Sequence, residues 1–322
     1  MIHDVQEYFG LEKDFQNAGY FKTETYDQAF NDLKAAITSG SLVALTGIVG
    51  CGKTTAARKM RDELARKDDF LVSVNLAIDK DRVSLNTLMT ALFLDLSNEK
   101  GFKIPTQAET RERQLRDLIK KRKKAVVLFV DEAHELTRKT LLKLKRLIEV
   151  VQEAESILSI VLVGHPKLKI DLENPVMEEI GARATVLILE GIRGSEKEYI
   201  DWLLATCLSK KMPKEKVFSP EAIEIMAERL STPLQINSYA WKALVQAHQI
   251  GCRPVSGEIM DAVISPDLEG LEAKAQRSGY NSKSLGEALD AKPNEIKALF
   301  HNRLQSPRLQ ELHQGLLKIG LA

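Results

Sequence analysis

The sequence predicts an α/β protein with a five-stranded parallel sheet, followed by a small helical domain and a short helical tail. Two observations carry this prediction. Short apolar runs alternate with longer amphipathic stretches as far as Leu189, as in a parallel sheet with helices on both faces. These runs are continuously apolar rather than alternating, which a sheet covered on both faces requires. After Gly194 the apolar runs stop and only helical periodicity continues.

The individual elements follow from these patterns. The five predicted strands are Ser41–Thr46, Phe70–Asn75, Ala125–Val130, Ile157–Val163 and Thr185–Leu189. The three predicted helices of the second part are Glu196–Leu208, Pro220–Leu230 and Ile236–Gln249. Together they predict an α/β domain over residues 1–193 with an N-terminal extension over 1–40, a helical domain over 194–252 and a tail over 253–322.

Composition excludes several classes of protein. The 322 residues are 44% hydrophobic and 28% charged, so the chain can bury a core and is not disordered. A net charge of +1 excludes a histone-like protein, and three scattered cysteines exclude a disulfide framework. The acidic N-terminus does not resemble a signal peptide, and no apolar run reaches the ~18–20 residues of a membrane span. We therefore expect a cytoplasmic protein with no membrane partner.

A glycine-rich motif follows the first predicted strand. Gly47–Thr54 reads GIVGCGKT, which fits G-x-x-x-x-G-K-[ST], and the predicted helix Thr55–Arg66 follows it. In this arrangement backbone amides cradle phosphates, the lysine contacts the β- and γ-phosphates, and the hydroxyl binds Mg²⁺. The motif predicts an ATP·Mg²⁺ site with Thr54 on the metal, formed by the following residues: Gly47, Gly50, Cys51, Gly52, Lys53, Thr54 and Thr55.

Two carboxylates follow the third predicted strand. Val130 is succeeded by Asp131, Glu132, Ala133 and His134. A carboxylate at the carboxyl end of a buried strand lies beside the phosphate loop in such sheets. Asp131 is predicted to hold the Mg²⁺ shell, and Glu132 to act as the base that polarises the attacking water. His134 is interpreted as a structural neighbour of this pair.

A helical domain after five strands makes the chain resemble AAA+ ATPases, in which a small lid covers a nucleotide bound between subunits. The resemblance implies that His165, in Gly164-His165-Pro166, senses the γ-phosphate, although a structural turn is an open alternative. It implies that Arg183 is an arginine finger for the neighbouring subunit. The lid position that often carries a sensor arginine is Leu234 here, so we expect slow ATP hydrolysis.

Several segments are similar to the ExeA/MuB-like branch of AAA+ proteins: YFGL at Tyr8–Leu11, TYDQAFNDLKAAI at Thr25–Ile37, TGIVGCGKTT, FVDEAHEL and VLVGHPKL. This branch includes transposition helper ATPases of the MuB, TniB and TnsC type and a type II secretion ATPase. The secretion relatives carry a membrane span and often a wall-binding region, which this sequence does not show. The resemblance therefore favours the transposition helpers.

Basic residues cluster on both sides of the third strand. Nine basic residues face three acids over Lys103–Lys124, including Lys121 and Lys123 in the run KKRKK. After the strand, Lys139, Lys143 and Arg146 recur at helical spacing on one face. Such a stripe suits phosphate contacts with duplex DNA, with a solvated helix face as the alternative. The predicted DNA-binding residues are Lys121, Lys123, Thr137, Arg138, Lys139, Lys143 and Arg146.

The tail resembles a helix-turn-helix over Leu285–Phe300, with Ile296 in the buried position and Asp290 in place of the usual turn glycine. Its three basic and three acidic residues between Ser284 and Leu304 balance, so partner binding and DNA reading both remain open. The terminal helix Leu309–Ile319 offers an apolar stripe to a protein partner.

Together these features predict an ATP-dependent DNA-binding regulator of transposition. The expected partners are double-stranded DNA, a transposase and further copies of the chain in a ring or filament. The alternatives are a secretion or envelope-assembly ATPase, and a nucleotide-binding scaffold with little turnover.

Overall fold

The computed structural model describes residues 2–74, 84–97, 103–264, 270–301, 304 and 306–321. The strands are β1 (Leu42–Thr46), β2 (Phe70–Val74), β3 (Ala125–Val130), β4 (Leu158–Gly164) and β5 (Ala184–Ile188). The helices are α1 (Ile2–Phe9), α2 (Glu24–Ile37), α3 (Lys53–Ala65), α4 (Leu85–Leu96), α5 (Ala108–Arg122), α6 (Arg138–Gln152), α7 (Pro166–Glu173), α8 (Glu178–Gly181), α9 (Glu196–Cys207), α10 (Pro220–Arg229), α11 (Pro233–Gln249), α12 (Gly257–Val263), α13 (Leu271–Arg277), α14 (Ser282–Ala288), α15 (Pro293–Phe300) and α16 (Ser306–Lys318).

The chain forms two compact units. The α/β unit comprises Glu24–Ile48 and Lys53–Leu189. The helical unit comprises Met1–Thr23, Val49–Gly52 and Glu190–Ala322. Residues 2–23, which the sequence interpretation attaches to the α/β domain as part of its extension, thus group with the helical unit. The phosphate loop is divided, because its tip over Val49–Gly52 groups with the helical unit.

A five-stranded parallel sheet in the order β2-β3-β4-β1-β5 forms the centre of the α/β unit. This confirms the predicted fold class. The predicted strand ranges differ from the observed ones by a residue at some ends, and Asn75 lies outside the described residues. Because all strands are parallel, the segments that follow β3, β4 and β1 leave at one edge of the sheet, on three adjacent strands. This carboxyl edge carries the candidate site.

One face of the sheet is covered by α4, α5 and α6, whose apolar side chains pack on alternate residues of β3 and β4. Helix α6 is strongly amphipathic: it buries Leu141, Leu144 and Ile148 and turns its other face to solvent. The Thr137 side chain accepts the Thr140 amide at 3.2 Å, which fixes the start of α6 seven residues after β3.

The helical unit has its own core, formed by α1 and α9–α12. Val5 and Phe9 of α1 are fully buried in it, together with Phe15. Helix α11 begins at Pro233, three residues before the predicted Ile236, because Thr232 caps it by accepting the Gln235 amide. The unit therefore includes a stretch from the start of the chain that sequence periodicity alone does not assign to it.

The tail folds as predicted around Leu285–Phe300. Helices α14 and α15 are joined by a tight turn in which Asp290 has a φ of +49°, and Ile296 is fully buried. The expected docking stripe of the terminal helix is wrong in part, because Leu312 and Leu316 are themselves buried within the chain. Among the described helices, none is both long enough and apolar enough to span a bilayer.

Candidate functional site

The phosphate loop connects β1 to α3. The Gly47 amide donates to the Gly164 carbonyl at 3.2 Å, which holds the start of the loop against the end of β4. Helix α3 begins at Lys53, so the amides of Lys53, Thr54 and Thr55 have no partner within the helix and are suited to an anion. The nearly buried Lys53 donates from Nζ to the Ile48 carbonyl at 2.8 Å, a bond that a phosphate oxygen can replace.

The tip of the loop needs its glycines. Gly50 and Gly52 have φ values of +81° and +95°, which favour glycine. A Cβ on Gly50 would lie 2.7 Å from the Cβ of Leu234, at the start of α11. The Val49 amide donates to the Arg277 carbonyl at 2.8 Å. Two distant segments of the helical unit therefore hold the tip of the loop.

The lid position that the resemblance reserves for an arginine is occupied by Leu234, which is 56% exposed. Arg277, at the end of α13, is a cation beside the loop tip that sequence reasoning missed. Burial lowers the pKa of its guanidinium, partly offset by Tyr239. Cys51, a predicted contact of the nucleotide, is buried beside Gly191. No sequence signal links Arg277 to the loop, because the two segments are far apart in the chain.

The two carboxylates lie at the carboxyl end of β3. Asp131 is exposed, and its Oδ1 accepts the Glu132 amide at 2.9 Å. Glu132 has a φ of +53° and a ψ of +36°, a left-handed conformation that is costly for a residue with a side chain. Strained backbone of this kind is concentrated at functional sites. The turn directs the Glu132 carboxylate towards the end of β4.

Two histidines meet Glu132 at this edge. His165 Nε2 lies 3.4 Å from Glu132 Oε2, and His134 Nδ1 lies 3.5 Å from the same oxygen. The two imidazole centroids are 3.9 Å apart. Burial, followed by the neighbouring His134 and Lys53, lowers the pKa of His165 to about 4, although Glu132 opposes the shift. His165 is therefore neutral near pH 7. Sequence reasoning set His134 aside, yet both histidines closely follow the ends of adjacent strands.

The groups present fit ATP and Mg²⁺. The exposed Asp131 carboxylate and the Thr54 hydroxyl are hard oxygen ligands of the kind that Mg²⁺ prefers, and both follow strands or loops at the carboxyl edge. Mg²⁺ held by these two residues would neutralise part of the phosphate charge. Lys53 would add a positive charge at the phosphates, and Glu132 would face the attacking water.

Arg183 is not part of the site of its own chain within the α/β unit. It directly precedes β5, at the amino edge of the sheet, and its side chain is 69% exposed. Its Nη1 donates to Glu149 Oε1 at 2.8 Å.

A groove between α4, α5 and α6 includes part of the basic stripe, and the acidic Glu112 also lines it. Lys143 and Arg146 line it together with Arg111, which the sequence prediction did not select. Lys139, Lys143 and Arg146 are exposed and form no ion pair with any residue that the structure describes. In contrast, Lys145 on the same helix pairs with Glu179 at 2.5 Å and Glu149 at 3.2 Å.

The other predicted DNA-binding residues lie in different settings. The Thr137 hydroxyl caps α6, and the exposed Arg138 donates to the Val176 carbonyl. Lys121 and Lys123 are exposed at the end of α5, where it leads into the amino end of β3, and neither lines the groove. The structure thus brings Arg111 to the α6 stripe and leaves the KKRKK run at the other edge of the sheet.

Comparisons with known proteins agree with this geometry. A family model described as "AAA domain" matches residues 37–169. General secretion pathway protein A of Aeromonas hydrophila is 28% identical over 242 residues, which cover 73% of this chain and 42% of that protein. The chain therefore spans less than half the length of that relative.

Two solved structures show a similar fold. The ORC2 protein of Aeropyrum pernix, in ADPNP–ADP complexes, has a TM-score of 0.58 at 13% identity and covers 97% of this chain and 91% of its own. Drosophila ORC bound to DNA has a TM-score of 0.55 at 14% identity, and the match covers 99% of this chain and 83% of that one. At these identities the likeness concerns the fold. The match of residues 37–169 to an AAA domain model and the fold shared with these structures support ATPase activity that uses ATP and Mg²⁺.

Proposed function

We propose that this ATPase assembles on duplex DNA in its ATP-bound state and presents that DNA to a transposase. ATP·Mg²⁺ would bind Lys53, Thr54 and Asp131 of one copy and the Arg183 side chain of the next. Hydrolysis through Glu132 would weaken that bridge and release the assembly. The single observation that carries the DNA step is the basic groove of α6.

The groove supports binding to phosphates rather than reading of bases. Lys139, Lys143 and Arg146 project from one helix face, and their charges are not neutralised by ion pairs within the described ranges. Arg111 adds a fourth cation, while its Nε and Nη2 donate to the carbonyls of Pro105 and Thr106. Exposed cations on one helix face suit sequence-independent contacts with the DNA backbone.

Self-assembly is supported by the position of Arg183. An exposed arginine at the amino edge lies far from the phosphate loop of its own sheet, whereas a neighbouring copy can bring its own loop to it. In nucleotide hydrolases such an arginine stabilises the charge of the transition state. The fold likeness to an ORC structure bound to DNA is consistent with an assembly of this kind.

A role like that of the secretion relative is the second candidate, because general secretion pathway protein A matches 73% of this chain. This alternative predicts no ATP-dependent affinity for DNA. The basic groove favours the first candidate, since envelope assembly gives no reason for unpaired cations along α6.

Fluorescence anisotropy with a labelled duplex, with and without a slowly hydrolysed ATP analogue, tests the DNA step. We expect binding that requires the analogue, shows little sequence preference and weakens steeply with salt. Replacing both Lys143 and Arg146 with alanine should reduce the slope of log affinity against log salt concentration by about 2, because each phosphate contact contributes ~0.9 to that slope. The double variant Lys210→Ala/Lys211→Ala removes the same charge from exposed residues outside the groove and is the matched control.

Equal affinity with and without nucleotide would contradict the proposed assembly, and no affinity would favour the secretion-like role. The transposase step has a separate test, in which DNA-bound protein is incubated with the transposase of the same mobile element. Strand transfer that rises with the ATP-bound protein supports this step, and unchanged transfer overturns it.

A further inference from the structure

We propose that Glu132, His134 and His165 form a binding site for Zn²⁺ that is distinct from the Mg²⁺ site. One carboxylate oxygen and one nitrogen from each imidazole all lie within 4.8 Å of one another in this part of the α/β unit. Two imidazoles and one carboxylate are a ligand set that zinc accepts, with a fourth position left for water.

The distances match those of a tetrahedral zinc site. Zinc bonds of about 2.0–2.1 Å place neighbouring ligand atoms about 3.3–3.4 Å apart at tetrahedral angles. The observed separations from Glu132 Oε2 are 3.4 Å to His165 Nε2 and 3.5 Å to His134 Nδ1. The carboxylate oxygen therefore lies at ligand spacing from both rings.

A second carboxylate supports the site independently. The other ring nitrogen of His134, Nε2, lies 3.3 Å from Glu135 Oε1. A histidine that binds zinc commonly donates its second N–H to a carboxylate, which fixes the ring and makes it a better ligand. Glu135 is exposed and its carboxylate is placed for this positioning role.

The ligand set also favours binding of zinc over binding of magnesium. Mg²⁺ binds oxygen ligands and holds its waters, so imidazole nitrogens do not attract it. Excess Mg²⁺ should therefore leave zinc binding unchanged.

Zinc at this site would inhibit the ATPase. The metal would occupy the Glu132 carboxylate, which is the proposed base, while Lys53, Thr54 and Asp131 stay available to ATP·Mg²⁺. The inhibitory effect rests on the role proposed for Glu132, whereas zinc binding itself rests only on the geometry. Neither involves DNA, so failure of the DNA-binding proposal would not affect the result.

The test uses the full chain, treated with chelator, in a Cys252→Ser background, because the Cys252 thiol is exposed and could bind zinc itself. Titration with Co²⁺ reports the coordination, since tetrahedral cobalt absorbs strongly in the visible range. Calorimetric titration with Zn²⁺ in excess Mg²⁺ gives affinity and stoichiometry. We expect one metal ion per chain and tetrahedral cobalt bands.

Graded variants distinguish ligands from the positioning residue. Glu135→Gln should weaken zinc binding about 10- to 100-fold, and His165→Ala or His134→Ala should weaken it further. The exposed His313→Ala should have no effect. Circular dichroism and binding of a fluorescent ATP analogue confirm that each variant is folded. Absence of tetrahedral bands, or bands that persist in both His165→Ala and His134→Ala, would overturn the proposal.

Discussion

Lys53 and Arg183 lie at opposite edges of the same sheet. Lys53 follows the loop that leaves the carboxyl end of β1, whereas Arg183 directly precedes the amino end of β5. The two strands pair in parallel, with Leu42 opposite Ala184 and Thr46 opposite Ile188. Five residues at ~3.3 Å each separate the two edges by about 16 Å. A single copy therefore does not bring this arginine to its own phosphates.

This separation predicts complementation between copies. We expect Arg183→Ala and Glu132→Gln each to reduce ATP turnover strongly, and a mixture of the two proteins to recover part of it. Recovery arises because some interfaces between copies then combine an intact Glu132 from one copy with an intact Arg183 from the other. The measurement is steady-state phosphate release at constant total protein. A mixture no more active than its components would show that Arg183 does not act on the site of a neighbouring copy.

Glu132→Gln alone should separate binding from hydrolysis. The amide keeps the shape of the side chain but cannot act as a base, so turnover should fall by about 10²–10⁴-fold. Affinity for a fluorescent ATP analogue should stay near that of the unmodified protein. The exposed Glu153→Gln serves as the control and should leave both quantities unchanged. Undiminished turnover would remove Glu132 from the reaction and would favour a different base.

Lys53→Ala should abolish nucleotide binding, because the Lys53 ammonium lies against the loop, where it donates to the Ile48 carbonyl. The control is Arg58→Ala, an exposed cation on the same helix that loses an equal charge. Equilibrium binding of the fluorescent analogue compares them. If both variants lost affinity equally, general electrostatics rather than the specific contact would explain the result.

Gly50→Ala tests the packing of the loop tip. The added Cβ would lie 2.7 Å from Leu234 Cβ and 3.0 Å from Thr232 Oγ1, in addition to the strain of a positive φ. Gly19→Ala is the matched control, since its φ is +105° but nothing lies within 4 Å of the added carbon. We expect the control to cost about 1–2 kcal/mol of unfolding free energy, and Gly50→Ala to cost more and to impair nucleotide binding. Equal thermal stability of the two variants would contradict the observed close packing.

Much of the fold follows from local patterns in the sequence. Strands such as Ala125–Val130 are continuous apolar runs, and buried parallel strands must be apolar on both faces. The burial of Ile296 follows from the resemblance of the tail to a helix-turn-helix. The grouping of Phe9 and Phe15 with the helical unit does not follow from the sequence, because their partners lie about two hundred residues further along the chain. The hydrophobic periodicity of a short segment does not show which distant segment it packs against.

Some residues of the candidate site could likewise be predicted from the sequence, and others could not. Lys53, Thr54, Asp131 and Glu132 are recognisable because phosphate chemistry needs those residue types at fixed spacing. Neither the left-handed backbone of Glu132 nor the approach of His134 to His165 is encoded in spacing, since both result from the way β3 and β4 lie side by side. Arg111 joins the α6 stripe for the same reason, through helix packing.

The hydrogen bond from the Val49 amide to the Arg277 carbonyl makes the C-terminal region an anchor of the loop that receives the triphosphate. Shortening the chain before α13 would leave that amide without its acceptor. A nucleotide that changes the conformation of the loop would therefore also act on Arg277, whose carbonyl accepts this hydrogen bond. The conformation of the loop would in this way be coupled to α13, which ends at Arg277.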